Sequence, residues 1–354
     1  MNNQKRIALA VSGGVDSAVA AYILKKFGYD VIGVHFQFWK WENDSENILN
    51  NSFLLTDLEN KIGIKIKVLN HQNDFKNEVI EQFLSGLSQG ITPNPCVRCN
   101  PLIKFHLLSE FAQQEDIEFI STGHYARVTN GNDGYFHLLK GVDPIKDQSY
   151  VLCYLNQKIL SKTIFPLGGS YKKENLLIAK HLFLKSGEIE ESQDLCFVTP
   201  DHYKQFIKES IPEALVPGNI TDKYGKILGM HSGLPLYTIG QRKGIKISSN
   251  KPYYVLKKIQ NSNQLVVGHI EDLGNSHFFV ENVNWIRPQN NKKLSCDVKI
   301  RYRAQIIKCS LEEQSVNQWK VFLSHQVRDI TPGQYAVFYD GEEVLGGGVI
   351  KETV

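Results

Sequence analysis

The stretch RIALAVSGGVDSAVAAYILKKFG, residues 6–28, decides the fold of this 354-residue chain. Residues 6–11 form a short, largely apolar run, which is typical of a β-strand buried on both faces. The SGGVDS turn follows, and apolar side chains then recur at helical spacing until Gly28, so a helix is predicted over 18–27. A buried strand joined to a helix by a glycine-rich turn is the opening unit of an α/β fold.

The same alternation of strand and helix continues to residue 123, with a polar stretch at 42–51. The further predicted strands are 31–36, 64–69 and 119–123, the further predicted helices are 53–62, 75–88 and 102–115, and ITPNPCVRCN (91–100) is predicted as a loop. Strands that alternate with helices in this way predict a doubly wound, mainly parallel sheet.

Beyond about residue 200 the pattern changes to strand-like segments separated by Gly, Asn and Pro turns. This spacing is typical of all-β structure, and it predicts a small β-rich linker domain followed by a C-terminal β-barrel. We therefore expect three domains, over 1–200, 201–272 and 273–354.

The composition is that of an ordinary globular protein. Hydrophobic residues make up 42% of the chain and charged residues 22%, which excludes a disordered or collagen-like chain. No apolar run approaches the roughly 18 residues that a membrane span needs, and the first residues lack the apolar region of a signal peptide. We expect a cytoplasmic protein without membrane contact.

The formal net charge of +3 hides an uneven distribution. Residues 217–310 hold fifteen Lys or Arg and five Asp or Glu, which makes this block +10 and the remainder −7. Such a block favours an anionic partner, with nucleic acid as the leading candidate. A solvated basic surface is the alternative.

The turn at 12–17 is predicted to bind phosphate. Its two glycines let the backbone approach a ligand, and the Ser hydroxyls and the N–H groups of the following helix offer hydrogen bonds to an anion. It matches neither the Walker pattern nor the dinucleotide fingerprint. SGGVDS instead resembles the pyrophosphate loop of the N-type ATP pyrophosphatases, which have an adenine nucleotide α-hydrolase-like fold, so Asp16 becomes a candidate partner of Mg²⁺.

The spacing of three of the six cysteines indicates metal or sulfur chemistry. Cys96 and Cys99 form a Cys-x-x-Cys pair, and Cys196 follows about a hundred residues later. A structural zinc site, an iron–sulfur cluster and a thiol pair for sulfur transfer all remain open on the chemistry alone. Apolar segments surround the other cysteines, which are predicted to fill the core: Cys153, Cys296 and Cys309.

Nine motifs, in order along the whole chain, resemble the bacterial tRNA-specific 2-thiouridylases. They are SGGVDS (12–17), TPNPCVRCNPLIKF (92–105), TGHYAR (122–127), KDQSYVL (146–152), FPLGG (165–169), ESQDLCFV (191–198), GLPLYTIGQRKGI (233–245), KIRYRAQ (299–305) and PGQYAVFYDGEEVLGGG (332–348). The YTIGQRKG and GHYAR motifs are far more specific than the phosphate loop alone.

The resemblance implies an ATP-dependent 2-thiolation of the wobble uridine, U34, in the tRNAs for Lys, Glu and Gln. Adenylation of the uracil O2 would prepare AMP as the leaving group. Cys196 matches the cysteine that carries the family's persulfide, and Cys99 matches its catalytic nucleophile. The residues expected to hold ATP are Ala10, Val11, Ser12, Gly13, Gly14, Val15, Asp16, Ser17, Phe36 and Gly123.

The resemblance also implies contacts with the RNA and with a sulfur donor. Asn94, Pro95 and Cys96 match the stretch that contacts the target base. The positions matching tRNA contacts are His124, Lys146, Asp147, Gln148, Arg301, Tyr302 and Gln334. A cysteine desulfurase or a sulfur-relay protein would supply the persulfide.

One departure from the family pattern leaves the mechanism open. Many relatives carry Asp where this chain has Cys96, and the exchange supplies a third thiol. A [4Fe–4S] centre on Cys96, Cys99 and Cys196 is therefore an alternative to persulfide chemistry.

Two other hypotheses for the function are a pyrophosphatase acting on a small molecule and a non-catalytic tRNA-binding protein. Several of the positions that match tRNA contacts also have a purely structural interpretation. His124 could be a turn residue, Asp147 and Gln148 could start a helix, and Arg301 could lie on a solvated strand.

Overall fold

The computed structural model describes residues 4–39, 45–184, 195–328 and 330–353. In chain order the strands are β1 (Arg6–Ala10), β2 (Asp30–Gln37), β3 (Lys65–Asn70), β4 (Phe119–Thr122), β5 (Ala126–Asn130), β6 (Phe136–Lys140), β7 (Thr163–Ile164), β8 (Gly218–Thr221), β9 (Ile227–His231), β10 (Tyr254–Ile259), β11 (Gln264–Gly268), β12 (Asn275–Trp285), β13 (Lys293–Lys299), β14 (Ile307–Ser315), β15 (Gln318–Val327), β16 (Tyr335–Asp340) and β17 (Glu343–Thr353). The helices are α1 (Val15–Lys26), α2 (Ser45–Leu58), α3 (Gln72–Phe75), α4 (Glu81–Ser88), α5 (Pro95–Cys99), α6 (Phe105–Gln114), α7 (Gln157–Leu160), α8 (Lys172–His181) and α9 (Tyr203–Ser210).

The first sheet is wholly parallel and has the strand order β3-β2-β1-β4-β7. The chain runs outward from β1 to β3 and then returns to place β4 on the other side of β1. Ligands of open α/β sheets bind at such a switch point, beyond the carboxyl ends of the two central strands. The loops that follow β1 and β4 therefore meet where a ligand site is expected.

Helices cover both faces of this sheet because the side chains of β1 alternate between two apolar layers. Ile7 and Leu9 belong to the core that contains α1, whereas Ala8 belongs to the core that contains α6. A strand buried on both faces has to be apolar at successive positions, which explains the run at 6–11.

The remaining strands form two further sheets. The order β10-β11-β8-β9 makes a small four-stranded sheet. The strands β12-β15-β14-β13-β16-β17 close into a six-stranded barrel through the pairing of β12 with β17. The β5–β6 hairpin, from the amino-terminal part of the chain, extends this sheet beside β17. The predicted fold class, a doubly wound parallel sheet followed by a β-rich linker and a barrel, is confirmed.

Two local predictions differ from the structure. The segment 91–100 is not all loop, because α5 covers Pro95–Cys99. Asn94 caps this helix by accepting a hydrogen bond from the Cys96 N–H (3.1 Å), and Pro95 suits the first helical position. The helix predicted over 53–62 begins earlier, at Ser45.

π-helical turns follow or join several of the α-helices, so that the helical segments are continuous. Such turns cover Glu59–Gly63, Lys76–Ile80 and Asn100–Lys104. The last of them directly follows Cys99, and π-helical turns occur frequently at functional sites. In the part of the chain that the structure describes, no helix is both long and apolar enough to cross a membrane.

Candidate active site

The phosphate loop joins β1 to α1 in the geometry that its sequence predicts. Gly13 has a φ of 84°, a left-handed conformation that favours glycine. Gly14 is the N-cap of α1 and offers no side-chain cap, so the first N–H groups of the helix are left for an anion. The Ser17 hydroxyl donates to the Gly14 carbonyl (2.9 Å), which holds the loop closed. These residues fit the phosphates of a nucleotide.

Asp16, at the start of α1, is held by two donors. The Lys172 ammonium (2.7 Å) and the Tyr125 hydroxyl (2.8 Å) both bind its Oδ1 atom. The Asn175 amide in turn donates to the Tyr125 hydroxyl (2.9 Å). Mg²⁺ in nucleotide sites is commonly bound by one or two carboxylates together with phosphate oxygens, so Asp16 fits the predicted role.

Lys172 supplies a positive charge beside the phosphate loop that no sequence motif predicted. Its side chain is only 9% exposed, and it brings a positive charge to the phosphate loop from α8, far along the chain. Such a cation can stabilise the charge of phosphate groups. No local pattern in the sequence distinguishes Lys172 from Lys173, which is exposed; only the packing of α8 against α1 does so.

The turn after β4 approaches the phosphate loop closely. A Cβ atom at Gly123 would lie 2.9 Å from the Ser17 nitrogen, so only glycine fits at this position without displacement of the backbone. His124 follows, and its Nδ1 atom lies 2.7 Å from the Thr122 hydroxyl. Burial, and secondarily the charge of Lys104, lower the pKa of His124 well below its usual value, so the imidazole is neutral at pH 7.

The charge of Lys104 acts on all three cysteines that have a predicted role. Cys96 and Cys99 lie on α5, and Lys104 ends the π-helical turn that follows. Desolvation raises the pKa of Cys96 to about 11 and that of Cys99 to about 12, and the Lys104 ammonium lowers both in part. The charge of Cys196 acts on both thiols, which places it in the same site.

Cys196 lies at the surface, but the surrounding protein desolvates its sulfur atom and raises the pKa of the thiol. The next two residues anchor it. Phe197 and Val198 are buried, and the Phe197 ring packs against Phe75 and Phe83 at centroid distances of 6.0 Å and 5.6 Å. Phe75 stacks on Phe38, which stacks on Phe36 of β2. A row of aromatic rings therefore connects the strand predicted to hold ATP with the segment that carries Cys196. Residues 191–194 of the motif ESQDLCFV lie outside the described residues.

The barrel completes the support of α5. Thr92 precedes this helix, and its N–H donates to the Pro332 carbonyl (2.9 Å) while its carbonyl accepts from the Gln334 amide (2.8 Å). Arg301 donates to the Ile239 carbonyl (3.1 Å) and to the Thr331 hydroxyl, so it joins the linker sheet region to the same barrel loop. The Tyr302 ring packs on Tyr150 of the amino-terminal part (6.0 Å). Three predicted tRNA contacts thus lie at the junction that holds the cysteine helix.

The segment with the other predicted RNA contacts has structural hydrogen bonds of its own. Asp147 is buried and accepts from the N–H groups of Gly141 (3.0 Å) and Ser149 (3.1 Å). Gln148 accepts from the Tyr125 N–H (2.9 Å). Lys146, the first residue of this segment, lies in the turn that closes on Asp143. This segment therefore fixes Tyr125, which in turn binds Asp16.

The described part of the chain contains no ready-formed site for a single metal ion. Within 4–39, 45–184, 195–328 and 330–353, no three side chains of His, Cys, Asp or Glu converge closely enough to hold a metal ion. This observation concerns single metal ions, so the [4Fe–4S] centre on Cys96, Cys99 and Cys196 stays a prediction.

Comparisons with known proteins agree with this architecture. Three family models match successive parts of the chain: the tRNA methyl transferase HUP domain over 5–200, the tRNA methyl transferase PRC-barrel domain over 204–269 and the aminomethyltransferase beta-barrel domain over 275–350.

Curated relatives match along the full length. The tRNA-specific 2-thiouridylase MnmA of Geotalea uraniireducens is 41% identical, with 100% of this chain and 96% of the relative covered. That of Geobacter metallireducens is 39% identical (99% and 98% covered), and MnmA 2 of Caldanaerobacter subterraneus is 40% identical (100% of both). The chain therefore belongs to the tRNA-specific 2-thiouridylases, a family of tRNA sulfurtransferase enzymes.

Proposed function

We propose that this protein converts U34 of the tRNAs for Lys, Glu and Gln to 2-thiouridine, using ATP and the sulfur of a cysteine persulfide. The observation that carries the proposal is the meeting of two sites at one edge of the first sheet. The phosphate loop lies close against Gly123, and Lys104 acts electrostatically on His124 and on all three cysteines. Activation by a nucleotide and attack by sulfur can therefore act on one base.

The activation step uses the phosphate loop, with ATP as substrate. The free N–H groups of α1 would bind the phosphates, and Lys172 would stabilise their negative charge. A Mg²⁺ ion held by Asp16 would neutralise the leaving pyrophosphate. Transfer of AMP to the uracil O2 gives position C2 a good leaving group.

The transfer step uses two cysteines. The Cys99 thiolate attacks the sulfur of Cys196, which breaks the S–S bond of the persulfide and releases hydrosulfide. Hydrosulfide adds to C2 of the base and displaces AMP. A disulfide between Cys99 and Cys196 remains, and a reductant must supply two electrons before the next cycle.

The exposed position of Cys196 supports its role as the acceptor of sulfur from a donor protein. A cysteine desulfurase, or a relay protein loaded by one, is the donor class that carries persulfide sulfur. The +10 block over 217–310 supports a tRNA partner, because it can neutralise backbone phosphates. We assign catalysis to residues 1–200, a linking role to 201–272 and RNA contact to 273–354. The reaction would take place in the cytoplasm, where tRNA is modified.

The test separates the two steps. Unmodified tRNA is incubated with ATP and a persulfide donor, and 2-thiouridine is measured by mass spectrometry of the nucleosides. Cys99→Ala and Cys196→Ala should each abolish 2-thiouridine, while tRNA-dependent exchange of pyrophosphate into ATP persists. Cys153→Ala, which removes a buried thiol outside the site, is the control and should retain thiolation. Continued formation of 2-thiouridine by both site variants would rule out the persulfide route.

The activation step is tested at Lys172. Lys172→Met should reduce pyrophosphate exchange at least tenfold, because the loop loses its buried cation. The matched control is Lys173→Met, one residue along the same helix, and it should have no effect. Equal behaviour of the two variants would remove Lys172 from the nucleotide site.

A further inference from the structure

Two of the cysteines predicted to fill the core face each other across two strands of the barrel. Cys296 on β13 and Cys309 on β14 are direct partners in the antiparallel register. Their sulfur atoms lie 3.6 Å apart.

The alternation of side chains along the two strands explains this arrangement. Val298 and Ile307 are partners in the same register and belong to the barrel core, and Cys309 lies in that core as well. Cys296 packs against it and is less buried than Cys309, which is 8% exposed. Directly opposed residues have Cα atoms about 4.5–5.5 Å apart, within the range of about 4.4–6.8 Å that a disulfide needs. Small side-chain rotations would therefore suffice to bring the sulfurs to bonding distance.

The paired strands carry the basic loop of the barrel. Residues 300–306 connect β13 to β14 and include Arg301 and Arg303. Together with Arg328 and His325 at the end of β15, this loop lines a cavity of about 510 Å³. A disulfide between Cys296 and Cys309 would covalently close the segment that contains this loop.

We propose that Cys296 and Cys309 form an oxidisable dithiol, a modification site at which peroxide creates a cross-strand disulfide that stiffens the basic loop. The inference depends on the geometry of the barrel and not on the proposed function. It concerns thiols that the sulfur-transfer step does not use.

The reaction balances with hydrogen peroxide as the oxidant. The Cys296 sulfur, which is the more accessible, attacks one peroxide oxygen, the O–O bond breaks and hydroxide leaves with a proton as water. The Cys309 sulfur then attacks the sulfenic acid at Cys296 and displaces the second oxygen as water. Two thiols lose two electrons in all, and one peroxide becomes two water molecules.

The reaction should be slow at neutral pH. The hydrogen bond with Cys309, followed by burial, raises the pKa of Cys296 above its usual range. Because the thiolate is the reactive form, the rate of oxidation should increase with pH.

The test treats the reduced full-length protein with hydrogen peroxide, blocks free thiols with iodoacetamide and maps the peptides without reduction. A peptide pair joined through Cys296 and Cys309 should appear, should disappear on reduction, and should be absent from both Cys296→Ser and Cys309→Ala. Hydrogen exchange of the amides at 300–306 should slow several-fold in the oxidised protein and not in either variant.

Two results would overturn the proposal. One is recovery of both cysteines as alkylated thiols, or as separate sulfonic acids, under conditions that oxidise the exposed Cys196. The other is formation of the bond with no change in exchange at 300–306, which would show that the loop is not stiffened.

Discussion

The thiol of Cys99 keeps its proton at neutral pH, because burial raises its pKa to about 12. Only about one molecule in 10⁵ then carries the thiolate at pH 7. The charge of Lys104 opposes this effect. The reactivity of this residue should therefore depend on both pH and Lys104.

We predict that alkylation of Cys99 by iodoacetamide rises about tenfold per pH unit between pH 7 and 9, because the thiolate fraction does so below the pKa. Lys104→Met should raise the pKa further and slow the reaction at every pH, whereas Lys104→Arg keeps the charge and should react like the wild type. The rate is measured at Cys99 by peptide mass spectrometry. A rate that levels off below pH 9 would contradict the raised pKa.

Local residues predicted much of the site, but not all of it. The phosphate loop and the Cys96–Cys99 pair are contiguous in sequence, so their patterns locate both parts of the site, although the cysteine pattern alone leaves its chemistry open. Lys172 and Tyr125 reach Asp16 only through the packing of α8 and the turn after β4, and no local pattern encodes such a contact. Asn94 and Pro95 form a typical helix start, but the loop predicted over 91–100 did not take this signal into account.

Among the elements, the segment 195–198 determines where Cys196 lies. Cys196 is exposed, and its position depends on the buried ring of Phe197. That ring packs on α3 and α4 through Phe75 and Phe83. Phe197 is thus a positioning residue for Cys196.

We predict that Phe197→Ala slows sulfur transfer at least tenfold, because the loss of the anchoring ring lets Cys196 drift from Cys99. Pyrophosphate exchange should stay within twofold of the wild type, and Phe197→Leu should restore part of the transfer. Single-turnover formation of 2-thiouridine from persulfide-loaded protein measures the effect. A parallel fall in both steps would indicate general destabilisation instead.

At the scale of the whole molecule, the barrel contacts the segment that leads into the cysteine helix α5. The barrel loop at 331–334 binds Thr92, just ahead of the cysteine helix. Sequence patterns predicted the barrel and the parallel sheet separately. They did not predict this contact, or the β5–β6 hairpin beside β17, because both join residues that lie far apart in the chain.

We predict that two substitutions in the barrel change different properties: one changes the rate of thiolation and the other changes the salt dependence of tRNA binding. Gln334→Leu loses its hydrogen bond to Thr92, worth about 1 kcal/mol, so thiolation should slow about fivefold while the salt dependence of tRNA binding is unchanged. Arg303→Ala should instead reduce the slope of log affinity against log salt by about 1 if the basic loop at 300–306 binds a backbone phosphate through Arg303. Filter binding at several salt concentrations measures the two slopes, and mass spectrometry of the nucleosides measures the thiolation rate. A changed slope in Gln334→Leu would show that Gln334 acts on the RNA.

The bond between Thr92 and Gln334 spans 242 residues, and this has a consequence for the protein's synthesis. A ribosome that adds about 5–20 residues per second needs on the order of tens of seconds to pass from one partner to the other. During that time the nascent chain already contains β1, the phosphate loop and Cys99, but the loop that supports α5 does not yet exist. A half-made chain can therefore form the SGGVDS turn before this contact exists, and α5 gains the support of the barrel loop only when the barrel has been synthesised.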